Sequence, residues 1–216
     1  MKDYGIAVAM LLLLLIGMAI YNETSTTNAS TQLAVTSTNG TPLPPLKAKP
    51  GAFSLLGKPT ISAHLINQVL AHYNSPAQGT GQAMYDLGKQ AGVDPVYALA
   101  FFLHESGFGT TGEARTTYSL GNERCIKDRP CIDQDRGGYA QMNDWVDGYA
   151  HWYTLIRAYA SGEIKRELTG HSTPLITVSQ IIPTYAPSSD HNNERAYIQA
   201  IEHAVNTWRE GQIIVS

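Results

Sequence analysis

Glu105 is the residue best placed to do chemistry. It follows a run of eight apolar residues, Val96 to Leu103, and precedes Ser106-Gly107-Phe108-Gly109, whose glycines stop a helix. A helix apolar on every face belongs in the interior of a globule, and this run is too short to cross a bilayer. The spacing therefore predicts a buried helix with one carboxyl group at its C-terminal end. Burial penalises the carboxylate, and so does the negative end of the helix dipole. Both effects raise the pKa, which suits a group that must hold a proton and then deliver it. The same position also fits a glutamate that points to solvent where the helix surfaces.

Other chemistries lack their residues. His104-Glu105 would open a His-Glu-x-x-His zinc motif, but position 108 is Phe. His64, His72, His151, His171, His191 and His203 show no short metal-ligand spacing, so no metal is expected. Gly-rich phosphate loops and a Gly-x-Ser-x-Gly elbow are missing, so no cofactor is expected. Cys125 and Cys131 flank five residues and cannot complete a zinc site alone. In an exported chain a disulfide is the expected state, closing a small loop and stabilising by roughly 2 kcal/mol; two free thiols are the alternative.

The elements that must position Glu105 are mostly helical. Asp94 is a plausible N-cap and Pro95 a first helical residue for the central helix. Before it, Ile61 to Tyr73 and Gln82 to Ala91 carry apolar residues at helical spacing; the second could begin as early as Pro76. After it, Thr110 to Gly138 is polar and poorly periodic, with a short hairpin around Cys125 to Tyr139. Asn143 or Asp144 can cap a long helix from Trp145 to Tyr159, with Val146, Tyr149, Ala150, Tyr153, Ile156 and Ala160 on one face. Gly162 to Pro174 reads as a polar link, Thr177 to Ile182 as a short helix interrupted by Pro183, and Glu194 to Glu210 as the last helix. The expected fold is mainly α: about six helices around a buried central helix, with a small loop or hairpin lobe.

The chain has 216 residues, 43% hydrophobic and 15% charged, with a formal net charge of -3. This fits one domain with appendages. No basic block appears, so a nucleic-acid partner is not expected. Twelve Tyr and three Trp could line a sugar-binding cleft and are equally ordinary core material. Ile6 to Ile20 is an unbroken apolar run behind Lys2 and Asp3. Residues 1–21 read as an uncleaved membrane anchor, with a cleaved secretory signal as the alternative. Residues 22–51 are a Ser/Thr/Asn/Pro-rich tether, and residues 52–216 are the folded body, expected outside the cytoplasm.

Four segments, in order, carry a family resemblance. Glu105-Ser106-Gly107-Phe108-Gly109 resembles the Glu-Ser-Gly-aromatic-Gly signature of bacterial glucosaminidases, the flagellar-type endo-β-N-acetylglucosaminidases that cleave peptidoglycan on a lysozyme-like fold. Ser119-Leu120-Gly121-Asn122 is similar to that family's Asn-x-Gly-Asn step after the catalytic helix. The stretch from Gly138-Tyr139 through Trp145 to Asp147-Gly148 resembles its approach to the next long helix. Tyr185-Ala186-Pro187-Ser188-Ser189-Asp190, with Tyr197 beyond, is similar to its Tyr-Ala-x-x-x-Asp segment and following Tyr. The resemblance covers about residues 60 to 210.

The resemblance implies a lysozyme-like α+β fold, peptidoglycan glycan strands as partner, and Glu105 as general acid. It implies that Tyr185 positions an N-acetyl group, with Tyr139, Ser119 and Asn122 as further substrate-binding residues. Family members that use a second carboxylate place a Glu in the strand region between these motifs, and no Glu stands clearly there. Glu123, Asp128, Asp133 and Asp135 are candidates. Asp133 and Asp135, nearest the Gly137-Gly138 turn, are taken as the catalytic pair to Glu105; each also reads as a solvated loop charge. Two other functions remain in view. One is a lytic transglycosylase, whose Gly-Leu-Met-Gln segment has only a distant echo in Gly138-Tyr139-Ala140-Gln141-Met142. The other is a non-catalytic wall-binding module on the same fold.

Overall fold

The computed structural model describes residues 53–127 and 129–216. The anchor or signal expected at residues 1–21, the tether at 22–51 and Asp128 lie outside the described residues. Among the described residues no helix is long and apolar enough to cross a membrane.

The described chain runs α1 (Ala63–His72), α2 (Gly81–Ala91), α3 (Pro95–Ser106), α4 (Ala114–Thr117), β1 (Cys131–Ile132), β2 (Tyr139–Ala140), α5 (Trp145–Ser161), α6 (Glu163–Thr169), α7 (Val178–Tyr185) and α8 (Glu194–Arg209). The two strands form an antiparallel hairpin with Cys131 opposite Ala140 and Ile132 opposite Tyr139. The fold is mainly α with a small hairpin lobe, as the spacing predicts.

The central helix α3 is buried from Pro95 to Phe102, enclosed by α8, α2 and α5. Its start is fixed by Asp94, whose side chain accepts from the Val96 N–H at 3.3 Å and which is only 1% exposed. That carboxylate also accepts from the Thr60 N–H (3.0 Å) and hydroxyl (2.6 Å) and from Arg209 Nη2 (3.0 Å). A buried charge so fully hydrogen-bonded is tolerable, and here it ties the chain before α1 and the end of α8 to the first turn of α3. Helix α5 is stitched to α2 at both ends of their contact: the Tyr153 hydroxyl donates to the Met84 carbonyl at 3.0 Å and Arg157 Nη1 to the Ala91 carbonyl at 2.6 Å.

Four features differ from expectation. Helix α6 replaces the polar link; it fully buries only Ile164, so its apolar signal was too thin to show as periodicity. The single turn α4 stands inside the polar stretch for the same reason. Pro183 lies within α7 instead of ending it. Buried Ile181 and Ile182 anchor the helix in the turn just before Pro183, and a Thr177–Gln180 capping box sets its start. Helix α5 also buries more than one face: His151, Leu155 and Arg157 join the expected Tyr149, Tyr153 and Ile156.

Candidate active site

The turn after Glu105 explains its glycines. Gly107 caps α3 in the left-handed conformation at φ +53°, and a Cβ at Gly109 (φ +81°) would stand 3.0 Å from Leu120 Cδ2. Phe108 also has a positive φ, +58°, an unfavourable state for an aromatic residue. It is held there by full burial against Tyr73 and Trp208 and by the Ser75 hydroxyl, which donates to its carbonyl at 2.8 Å. Ser106 is internal too: its hydroxyl donates to the Leu120 carbonyl at 2.8 Å and accepts from the Gly109 N–H at 2.9 Å. The residues of the signature beyond Glu105 are therefore turn-builders that lock the end of α3.

The 119–124 loop is drawn against that end. Asn122 Nδ2 donates to the Glu105 carbonyl at 2.7 Å. A Cβ at Gly121 would meet Trp152 Cδ1 at 2.9 Å, so only glycine lets the loop lie on the core here. The Ser119 hydroxyl accepts from the Glu123 N–H at 3.1 Å, and the Glu123 carbonyl accepts from the Ala140 N–H at 3.0 Å. These bonds carry Glu123 into the interior, where it is 5% exposed. Its Oε1 has no hydrogen-bond partner among the described residues. Behind it, Arg129 from the disulfide loop pairs with Asp147 through both guanidinium nitrogens and donates to His151 Nε2 at 2.9 Å. Cys125 and Cys131 are disulfide-bonded, closing the loop that presents Arg129.

Glu105 and Glu123 line one cleft of about 760 Å³, together with His104, Asn122, Tyr185 and Tyr197. The Tyr197 hydroxyl donates to Glu105 Oε1 at 2.5 Å, and the His104 ring stands over the Tyr197 ring at 3.8 Å between centroids. Burial pushes the Glu105 pKa up to about 7, against the hydrogen bond from Tyr197 and the charge of Arg124. Burial, then the charge of Asp147, pushes Glu123 up to about 8, against Arg129. Tyr185 feels both acids: burial above all, then the charges of Glu105 and Glu123, raise its pKa well above the usual phenol value. His151 is held down to about 4, by burial first and then Arg129, so it is neutral and accepts the Arg129 bond.

Of the residues expected at the site, Glu105, Asn122, Tyr139 and Tyr185 line the cleft. Ser119 does not: it is 1% exposed and its hydroxyl is spent on the Glu123 backbone. Asp133 and Asp135 do not line the cleft either. Asp133 turns the chain at φ +56°, its carbonyl accepting from the Gly138 N–H at 3.0 Å, and Asp135 is exposed on the 3-10 turn Gln134–Arg136. The carboxyl that shares the cleft with Glu105 is Glu123, which sequence reasoning weighed and set aside as a loop charge. The signal available was its position, immediately after the Gly121-Asn122 step that presses the loop onto the core. Tyr197 and His104 are further members absent from the expected set.

No group of three or more metal-binding side chains converges among the described residues. No family model, curated protein or solved structure matches the chain.

Proposed function

We propose that the protein is a peptidoglycan hydrolase that cleaves glycosidic bonds next to N-acetylglucosamine, with Glu105 as general acid. The observation that carries this reading is a carboxyl with pKa about 7, at the end of a buried helix, opening on a cleft of about 760 Å³ that holds a second buried acid. Tyr197 donates to Oε1 and so leaves Oε2 to carry the proton. Protonated Glu105 gives that proton to the glycosidic oxygen as the bond to the leaving sugar breaks. Charge then develops on the sugar ring, and water completes the hydrolysis after losing a proton to a base. Glu123 is the candidate base in its ionised fraction; the substrate's N-acetyl group is the alternative partner for the charge. The four sequence segments that resemble glucosaminidases support the same substrate.

One observation favours a second reading. Glu123, with a pKa of about 8, is mostly uncharged at neutral pH and then cannot accept a proton. A lytic transglycosylase uses one carboxyl as both acid and base and needs no second carboxylate. The full chain, incubated with cell-wall sacculi, separates these by product: new reducing ends support the hydrolase, and anhydro-sugar ends the transglycosylase. Strand binding with no soluble product would leave only a wall-binding module.

A further inference from the structure

Three residues on one face of α3 meet a single tyrosine. Phe101 is followed three and four residues later by His104 and Glu105, a spacing that puts their side chains on one side of a helix. All three engage Tyr197 of α8. The Phe101 ring lies 5.9 Å from the Tyr197 ring and the His104 ring 3.8 Å, between centroids, and Glu105 Oε1 accepts from the hydroxyl. Tyr197 is therefore held at its ring by two side chains and at its oxygen by the third.

The two rings come from different surroundings. Phe101 is fully buried, whereas His104 is exposed and lines the cleft. Tyr197 is 5% exposed, so a solvent-facing side chain packs on a buried one. A histidine in the last turn of a helix can also act as a cation toward the helix dipole. Partial burial holds the His104 pKa below the ordinary 6.5, so the ring is mostly neutral at pH 7 and that role is small. What remains is the contact with Tyr197. A phenol O–H donates well only over a narrow range of directions, so a ring free to tilt loses part of its bond.

We propose that His104 is a positioning residue whose ring closes the slot that holds the Tyr197 hydroxyl on Glu105. The proposal rests on the reading of Glu105 as the acid of this cleft and deepens it, because His104 acts on that acid through Tyr197. The other titratable or charged groups around Glu105 are Tyr185 from α7 and Glu123 and Arg124 from the 119–124 loop. Lys165 of α6 and Asp190 line the same cleft, and Tyr197 donates directly to the carboxyl. A looser Tyr197 stabilises the carboxylate less, and Glu105 then keeps its proton to higher pH.

The test titrates the Glu105 carboxyl by NMR in the full chain, isotope-labelled at its glutamate carboxyls and held in detergent micelles. Glu105→Gln identifies the signal by its loss. The wild type, His104→Ala, Tyr197→Phe and the double variant form a cycle. Water admitted by the smaller side chain shifts Glu105 alike with or without the Tyr197 hydroxyl and cancels in the cycle. The hydroxyl's own effect does not cancel. His104→Ala should raise the Glu105 midpoint by about one pH unit more with the hydroxyl present than with it absent. His104→Phe, which keeps a ring, should show less than about half of that coupling; His104→Ser replaces the alanine variant if that one does not fold. Equal shifts in the two backgrounds, or the same coupling from His104→Phe, would overturn the proposal. The titration needs no substrate. Coupling without release of sugar ends from sacculi would leave His104 standing and sink the hydrolase reading; release without coupling would sink the positioning role alone.

Discussion

At the residue scale, Glu105 and Glu123 differ in what holds their protons. Glu105 has a hydrogen-bond donor, Tyr197, that favours its charged form, whereas Glu123 has none at Oε1 among the described residues. With Glu105 at about 7, the acid form is lost as pH rises through that value, so activity should fall on the alkaline side of about pH 7. Tyr197→Phe removes a bond that lowers the pKa, and the falling limb of kcat/KM should move to higher pH; an unmoved limb would mean the hydroxyl does not act on the acid. Glu123 gives a stability prediction. Its folded pKa of about 8 stands above its ordinary value of 4.5. Between those values the folded chain holds a proton that the unfolded chain has released, so stability falls as pH rises from about 4.5 through about 8. Glu123→Gln should melt like the wild type at pH 4 and be more stable at pH 9, by on the order of 5 kcal/mol. Parallel melting curves across that range would contradict a buried, proton-holding Glu123.

At the element scale, the site depends on how closely the 118–124 loop approaches α5. Gly148 lies in the first turns of α5, and a Cβ there would stand 2.2 Å from the Tyr118 carbonyl oxygen. Gly148→Ala must push the loop away from the helix, and with it the Ser119–Glu123 and Asn122–Glu105 bonds. Thermal unfolding should show a loss of about 1–3 kcal/mol, and an unchanged melting point would mean the loop is not held there. The same contact shows what the sequence could tell. The central helix, its caps and its Glu105 were legible because eight apolar residues followed by glycines admit few other structures. The hairpin was legible from a polar, glycine-containing stretch without helical period, and the disulfide from two cysteines in a chain expected to be exported. The second acid was not, because burial of Glu123 is set by Gly121 against Trp152 and by Ala140 pairing to its carbonyl. Those are contacts between segments far apart in the chain, and periodicity within one segment carries no trace of them. Asp133 and Asp135 were misplaced for the converse reason: proximity to a glycine turn in sequence does not aim a side chain into a cleft.

At the scale of the whole molecule, the core and the cleft share parts. Phe101 contacts Trp152, Tyr185 and Tyr197 at ring distances of 5.2 to 5.9 Å, so the aromatic core of α3 continues directly into the cleft wall. The two tyrosines that flank the acids are thus packed against the buried aromatic core, which favours a preformed site over one assembled on binding. Residues from α3, the 119–124 loop, the hairpin, α7 and α8 all face one cleft, and Glu105 stands where the central helix meets it. The account depends on that one proton. The decisive measurement is the rate at which the full chain releases reducing ends from sacculi, for the wild type and for Glu105→Gln, with strand binding measured alongside. Loss of release by about 10²-fold or more, with binding retained, is the predicted result; release at the wild-type rate from the Gln variant would contradict it.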